Sequence, residues 1–184
     1  MTTKPAADEE PLSWFLLAHA FLYDAAMLNK AVAARRAGGY FVSPVRFLYF
    51  HAIELFLKAY LRQCGFAEAV LKNRPYGHRL DALATKAETQ GLRLTRRVRT
   101  ICDTSATFDD PFEARYLRTG GKSISPPNRL HEAARDLQNA VEEALRGAGV
   151  RMQPLDKLPV VHPPGLTLRQ AAKRLRRRAS RAEA

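Results

Sequence analysis

The sequence predicts an all-α protein, an antiparallel up-and-down four-helix bundle with a short extra helix. Three observations carry that prediction. Leu and Ala dominate the long segments while β-branched runs are rare, which favours helix over strand. Apolar residues recur at three- and four-residue spacing in each long segment. Gly, Pro, Ser and Thr stand where helices should start and stop.

Residues 1–12 read as a flexible N-terminus, and the bundle occupies 13–147. The first helix is expected from Ser13, a good N-cap, through "WFLLAHAFLYDAAMLNKAVAARR" to Gly38-Gly39. The second opens at Ser43 with Pro44 in its first turn, where the missing N–H costs nothing, and closes at Gly65. "FAEAVLKN" adds one or two short turns. The third, "HRLDALATKAETQ", buries Leu80, Leu83, Ala84 and Ala87 and stops at Gly91. The fourth starts after Thr95 as cap and runs past Val98 and Ile101 toward Ser105. The fifth starts after Asn128 and ends at Gly147, with Leu130, Ala133, Ala134, Leu137, Val141 and Leu145 on its core face.

Residues 148–165 read as a Pro-rich linker, since four prolines in "QPLDKLPVVHPPG" exclude a helix. Residues 166–184 form a basic C-terminal segment, helical or disordered. Net charge is +12, and residues 151–184 hold nine Lys/Arg against two Asp/Glu. Arg169, Lys173, Arg174, Arg176, Arg177, Arg178 and Arg181 are therefore the expected nucleic-acid contacts, through non-specific phosphate attraction. A solvated tail with no ligand is the competing reading.

The N-terminus is acidic and lacks a signal-like apolar run, and no long apolar stretch is free of charge, so a cytoplasmic protein without a membrane span is expected. Cys64 and Cys102 are too few and too far apart for a metal site, so neither metal nor cofactor is expected. Gly120-Gly121-Lys122-Ser123 lacks the spacing and the preceding strand of a phosphate loop. Trp14, Phe15, Phe21 and Tyr23 read as core and dimer surface rather than base-stacking platforms.

One stretch, "FLYFHAIELFLKAYLRQCG", holds the main candidate site. His51, Glu54, Lys58 and Arg62 fall within about 80° on one helix face. Glu54 and Lys58 form an i,i+4 pair in the favourable order. If the stripe is buried, Glu54 needs more partners than Lys58, and Arg115 and Tyr116 of "ARY" are candidates. The stripe reads as a polar seam or as a small phosphate-binding cleft using Lys58, Arg62 and Arg115. His78 is expected to cap or orient the third helix, or to contact a ligand.

The same residues resemble the HEPN superfamily (higher eukaryotes and prokaryotes nucleotide-binding). The pattern H-A-x-E-x-x-x-K-A-x-L ending at a Gly matches His51, Ala52, Glu54, Lys58, Ala59, Leu61 and Gly65. Gly77, His78 and Leu80 match the G-H-x-L that opens the next helix, and Arg115-Tyr116 a late Arg-Tyr element. The resemblance covers roughly residues 13–146. It implies the bundle, a homodimer and, in some members, a nucleotidyltransferase-type partner in a toxin–antitoxin pair. It does not fix one activity, because members include ribonucleases, nucleotide binders and non-catalytic modules.

The family's nuclease motif sets four to six residues between Arg and the following His, for phosphate binding and acid–base chemistry at a ribose hydroxyl. Arg46 and His51 have that spacing, but Phe47 stands where a polar residue is usual. Arg74 with His78, and Arg129 with His131, are spaced too closely. The expectation is a non-catalytic binding protein whose ligand is a nucleotide, RNA or a partner protein. The alternatives are a metal-independent endoribonuclease using Arg46 and His51, and an interaction module without a ligand site.

Overall fold

The computed structural model describes residues 11–34, 42–106 and 125–161. The described residues are all helical apart from turns and extended connections, with no strand among them. Among the described residues there are six helices: α1 (Pro11–Ala34), α2 (Val42–Gln63), α3 (Glu68–Lys72), α4 (Leu80–Thr89), α5 (Arg96–Ser105) and α6 (Pro127–Gly147).

The N-termini show how local chemistry sets the boundaries. Thr95 caps α5 as expected, its hydroxyl accepting from the Val98 N–H at 3.3 Å. α1 begins at Pro11, so Ser13 lies inside the first turn rather than ahead of it. α2 begins at Val42, which places Ser43 inside the helix as well. α6 begins at Pro127 with Pro126 at the cap position, not after Asn128. Proline fits a first turn because its absent N–H would have no intrahelical acceptor. α3 realises the short turns expected of "FAEAVLKN".

Three C-termini share one device. The N–H groups of Phe66, Leu92 and Val150 donate to the carbonyls of Leu61, Ala87 and Leu145, at 3.1, 3.0 and 3.0 Å. Each donor follows a glycine with positive φ: Gly65 (89°), Gly91 (98°) and Gly149 (84°). A side chain would be strained in that left-handed backbone, so glycine ends the helix and turns the next apolar residue onto the core. For α6 the stop is thus Gly149, two residues beyond Gly147.

α2 is the central element and packs against α1, α4 and α6. Its buried side chains lie nearly all round it, including Val45, Tyr49, Phe50, Ile53, Phe56, Leu57 and Leu61. α1 and α2 run antiparallel, since Phe15 meets Phe56 while Phe21 meets His51. α4 departs from strict alternation. His78, just before it, reaches Glu54, and Gln90, just after it, accepts from Tyr60, so α2 and α4 run in the same sense. The 64–79 connection makes this possible by carrying the chain back along α2 before α4 starts. Beyond α6, residues 148–161 have no regular structure, yet Val150, Met152, Leu155 and Leu158 pack against the core.

α1 is long and apolar enough, by length and composition, to cross a membrane. One face of it, however, is docked into the protein core through Trp14, Phe15, Ala18, Leu22, Ala25 and Ala26, all buried.

Candidate functional site

The apolar environment of α2 forces its polar residues to find partners, because a buried charge left uncompensated is costly. Glu54 is only 5% exposed and Lys58 3%. One helical turn brings them together, and Lys58 Nζ donates to Glu54 Oε1 at 2.7 Å. The second partner comes from the loop before α4. His78 Nδ1 lies 3.1 Å from Oε1 and 3.0 Å from Oε2 of the same carboxylate. His51, one turn earlier on α2, approaches Oε2 at 4.0 Å. Burial by itself pushes the Glu54 carboxyl up, but His51, Lys58 and His78 together outweigh it and hold the group at about 2. Glu54 is therefore an anion that spends its lone pairs inside the protein.

The seam continues toward α1 and α3. Lys58 Nζ sits 5.9 Å from the Trp14 ring centroid, and Lys72 Nζ approaches the same ring at 5.9 Å. Cations over an indole face are attracted by its quadrupole. Lys72 also pairs with Glu68. One buried carboxylate thus links α2 to the loop before α4, and its lysine links α2 to α1.

The other expected residues lie elsewhere or act differently. Arg62 Nη1 donates to the Phe66 carbonyl at 2.7 Å, so this side chain closes the end of α2. His78 does not cap α4. The cap position is Arg79, with no side-chain cap bond, because the His78 ring is turned onto Glu54. Arg79 instead grips Asp81, with Nη2 to Oδ2 at 2.6 Å and Nε to Oδ1 at 3.3 Å. Arg115, Tyr116 and the basic positions Arg169, Lys173, Arg174, Arg176, Arg177, Arg178 and Arg181 lie outside the described residues.

Arg46 and His51 diverge. Five residues along a helix turn the direction by about 140°. The Arg46 guanidinium is buried over the Phe50 ring at 5.7 Å, and burial lowers its pKa. The His51 ring packs edge-on to Phe21 at 4.5 Å and stacks on Phe47 at 5.9 Å. Phe47, standing where the nuclease motif has a polar residue, thus serves as a stacking partner. Among the other Arg–His pairs, His131 is buried in a separate network, while Arg74 and His78 both line one groove.

That groove has a volume of about 900 Å³ and lies between the 72–81 segment and the end of α5. Lys72, Arg74, His78 and Arg79 stand on its wall, with Tyr76 and, as the one acid among the described residues there, Asp81. Lys72 and Arg79 already have acidic partners, whereas Arg74 has none among the described residues.

Two further buried polar links escaped the sequence reading. Asn29 Nδ2 donates to the Tyr49 hydroxyl at 3.3 Å, and that hydroxyl lies 3.2 Å from His131 Nδ1, joining α1, α2 and α6. Gln138 and His19 meet at 3.2 Å between α6 and α1. The available signal was a polar residue at a core-facing position of an apolar helix. Among the described residues no group of three His, Cys, Asp or Glu side chains is placed to hold a metal ion. Comparison of the chain with protein-family models, curated proteins and solved structures gives no match.

Proposed function

We propose that this chain is a HEPN-like, non-catalytic binding protein whose ligand carries phosphate, either a nucleotide or RNA. The observation that carries the non-catalytic half is the use made of the polar residues of α2. Glu54 is saturated by Lys58 and His78, and Arg46 points away from His51. An acid–base pair acting at a ribose hydroxyl needs two groups converging on one reacting atom, with a phosphate anchor beside them. No such convergence involves Arg46 and His51.

The binding half is supported by the groove next to the seam. Its wall concentrates Lys72, Arg74, His78 and Arg79 around a volume suited to a nucleotide-sized ligand. Glu54 orients His78 at the edge of that wall, so the seam positions one wall residue without itself facing the ligand. Guanidinium groups suit phosphate because their donors form a planar fork.

The test uses the purified full chain with labelled mixed RNA and with nucleotides, in chelator. Binding without cleavage is expected, weakened about tenfold or more by Arg74→Ala, in the range of one lost charged contact. RNA cleavage that disappears in folded Arg46→Ala and His51→Ala variants overturns the non-catalytic reading in favour of a metal-independent endoribonuclease. Binding unchanged by Arg74→Ala removes the groove as the site.

A further inference from the structure

The start of α1 stands beside the basic groove. Trp14 lies one turn into the helix, and its ring centroid is 5.9 Å from the Nζ of Lys72, a residue of the groove wall. A second route starts from the same ring. Lys58 Nζ, also 5.9 Å from it, donates to Glu54, and Glu54 meets His78, another wall residue. Pro11 is about 4.5 Å along the helix axis from Trp14. The chain therefore enters α1 close to the groove.

Directly ahead of Pro11 come Asp8, Glu9 and Glu10, the one run of three adjacent acids in a sequence of 30 Lys/Arg and 18 Asp/Glu. They lie outside the described residues, and their charge and their position in the chain are what bear on the groove. Three residues span at most about 11 Å. The wall offers Lys72, Arg74, His78 and Arg79 against Asp81, and Arg74 has no acidic partner among the described residues. A guanidinium holds carboxylate and phosphate through the same planar fork. We propose that Asp8, Glu9 and Glu10 dock into this groove of their own chain, where their carboxylates take the place of a phosphate ligand and lower its affinity. The docking rests on the groove alone, whereas the competition rests on the ligand reading given above.

Tethering makes a weak contact sufficient. A segment joined to the protein beside its own site has an effective concentration of about a millimolar, so contacts of millimolar strength hold it there for much of the time. The apparent affinity of a competing ligand then falls by the fraction of molecules whose groove is open. The other use for acids at this place is to face the α1 dipole, since the first turn of α1 holds no acid of its own. That use contributes to stability and is indifferent to Arg74. A dependence on Arg74 therefore separates docking from the dipole.

Neutralising the segment in the full chain, Asp8→Asn with Glu9→Gln and Glu10→Gln, tests the competition. Affinity for labelled mixed RNA and for nucleotides should rise about three- to tenfold, and the gain should shrink in an Arg74→Ala background. Asp24→Asn with Glu143→Gln and Asp156→Asn changes the net charge equally, at exposed acids without an ion pair among the described residues, and should raise affinity about twofold at most. A second measure needs no ligand. Ala7→Cys with Asn73→Cys, in a Cys64→Ser background, should form a disulfide within one chain faster than Ala7→Cys with Arg135→Cys on α6. Salt at about 1 M should remove the difference. Circular dichroism of each variant verifies that the helices remain. A gain no larger than that of the control triple overturns the proposal, and so does an Asn73→Cys disulfide that forms no faster than the one at Arg135→Cys. If wild type and the neutralised chain both bind neither RNA nor nucleotides, the ligand reading falls and the disulfide alone decides the docking. A neutralised chain that loses stability with unchanged affinity assigns the three acids to the α1 dipole instead.

Discussion

Replacing Glu54 by Gln keeps the shape of the side chain and removes its charge, which isolates what the carboxylate contributes. The structure sets the size of the effect. Glu54 is held at about 2 in the folded chain, against an ordinary value of 4.5. At about 1.4 kcal/mol per pH unit, that difference corresponds to about 3 kcal/mol at neutral pH. An independent route gives a similar figure, since removing one member of a buried ion pair costs about 3–5 kcal/mol. Lys58, 3% exposed, is then left without its anion, and the His78 ring loses its acceptor.

The sign of the pH dependence follows from the direction of the shift. A carboxyl whose folded pKa is depressed stabilises the fold above its unfolded value and loses that contribution as protonation sets in. The contribution is therefore full above pH 4.5 and fades between 4.5 and about 2. Urea denaturation followed by circular dichroism measures it directly. Glu54→Gln should be about 3 kcal/mol less stable than wild type near neutral pH, and the gap should fall below half by about pH 3. Adding Lys58→Met should cost less than the two single changes together, because the second removes a charge that the first has stranded. Equal stability of wild type and Glu54→Gln at pH 7, or a gap that stays constant down to pH 3, would refute the seam.

Two other measurements probe the frame around the seam. Thr95→Ala removes the α5 cap and the Thr95 hydroxyl's bond to Asp136 Oδ2 at 3.0 Å, and should cost about 1 kcal/mol in the same denaturation assay. Leu155→Ala with Leu158→Ala should lower the thermal midpoint, by about 1–3 kcal/mol in stability for two half-buried side chains, although both lie beyond the last helix.

How much of this was legible in the sequence depended on range. Interactions within one turn or one helix end were readable, as the Thr95 cap, the Glu54–Lys58 pair and the glycine stops at Gly65 and Gly91 show. The core face of α6 was readable too, because its period is local. Partners far along the chain were not. His78 sits 24 residues from Glu54, and only the return of the 64–79 connection brings it there. The sense of α4 was hidden for the same reason. Proline content correctly excluded a helix from 148–161, but Val150, Met152, Leu155 and Leu158 have no helical or strand period that would reveal their packing on the core. α1 shows the converse. Its apolar residues run nearly all round, so its sequence pattern could not separate the face turned to α2 from the face turned outward.

The buried chain from Asn29 to His131 leads to a second pH-dependent step, with a direction set by hydrogen-bond polarity. An amide nitrogen only donates, so Asn29 Nδ2 gives its hydrogen to the Tyr49 oxygen. The Tyr49 hydroxyl keeps its own hydrogen and can give it to His131 Nδ1 at 3.2 Å, the arrangement in which Nδ1 accepts and the imidazole proton sits on Nε2. Protonating His131 would put a hydrogen on Nδ1, and the Tyr49 hydroxyl would have to turn its own hydrogen away to keep this contact. Burial, aided by the charge of Arg135 one turn on, accordingly lowers His131 to about 4, and burial raises the Tyr49 hydroxyl well above its ordinary range. A histidine depressed in the fold favours the folded state when neutral. Stability should therefore fall as the pH drops from about 6.5 toward 4, by about 2–3 kcal/mol for this group. That window lies above the one assigned to Glu54, so the two acid steps separate. Tyr49→Phe should cost about 1–3 kcal/mol at neutral pH by leaving Asn29 and His131 unsatisfied. His131→Phe should remove the step between pH 6.5 and 4 while keeping the one below 4.5. Proton NMR of the histidine rings reads the same quantity without denaturant. A His131 resonance titrating near its ordinary value in the folded chain, or a His131→Phe variant with an unchanged stability profile between pH 6.5 and 4, would show that this chain of hydrogen bonds does not hold the imidazole neutral.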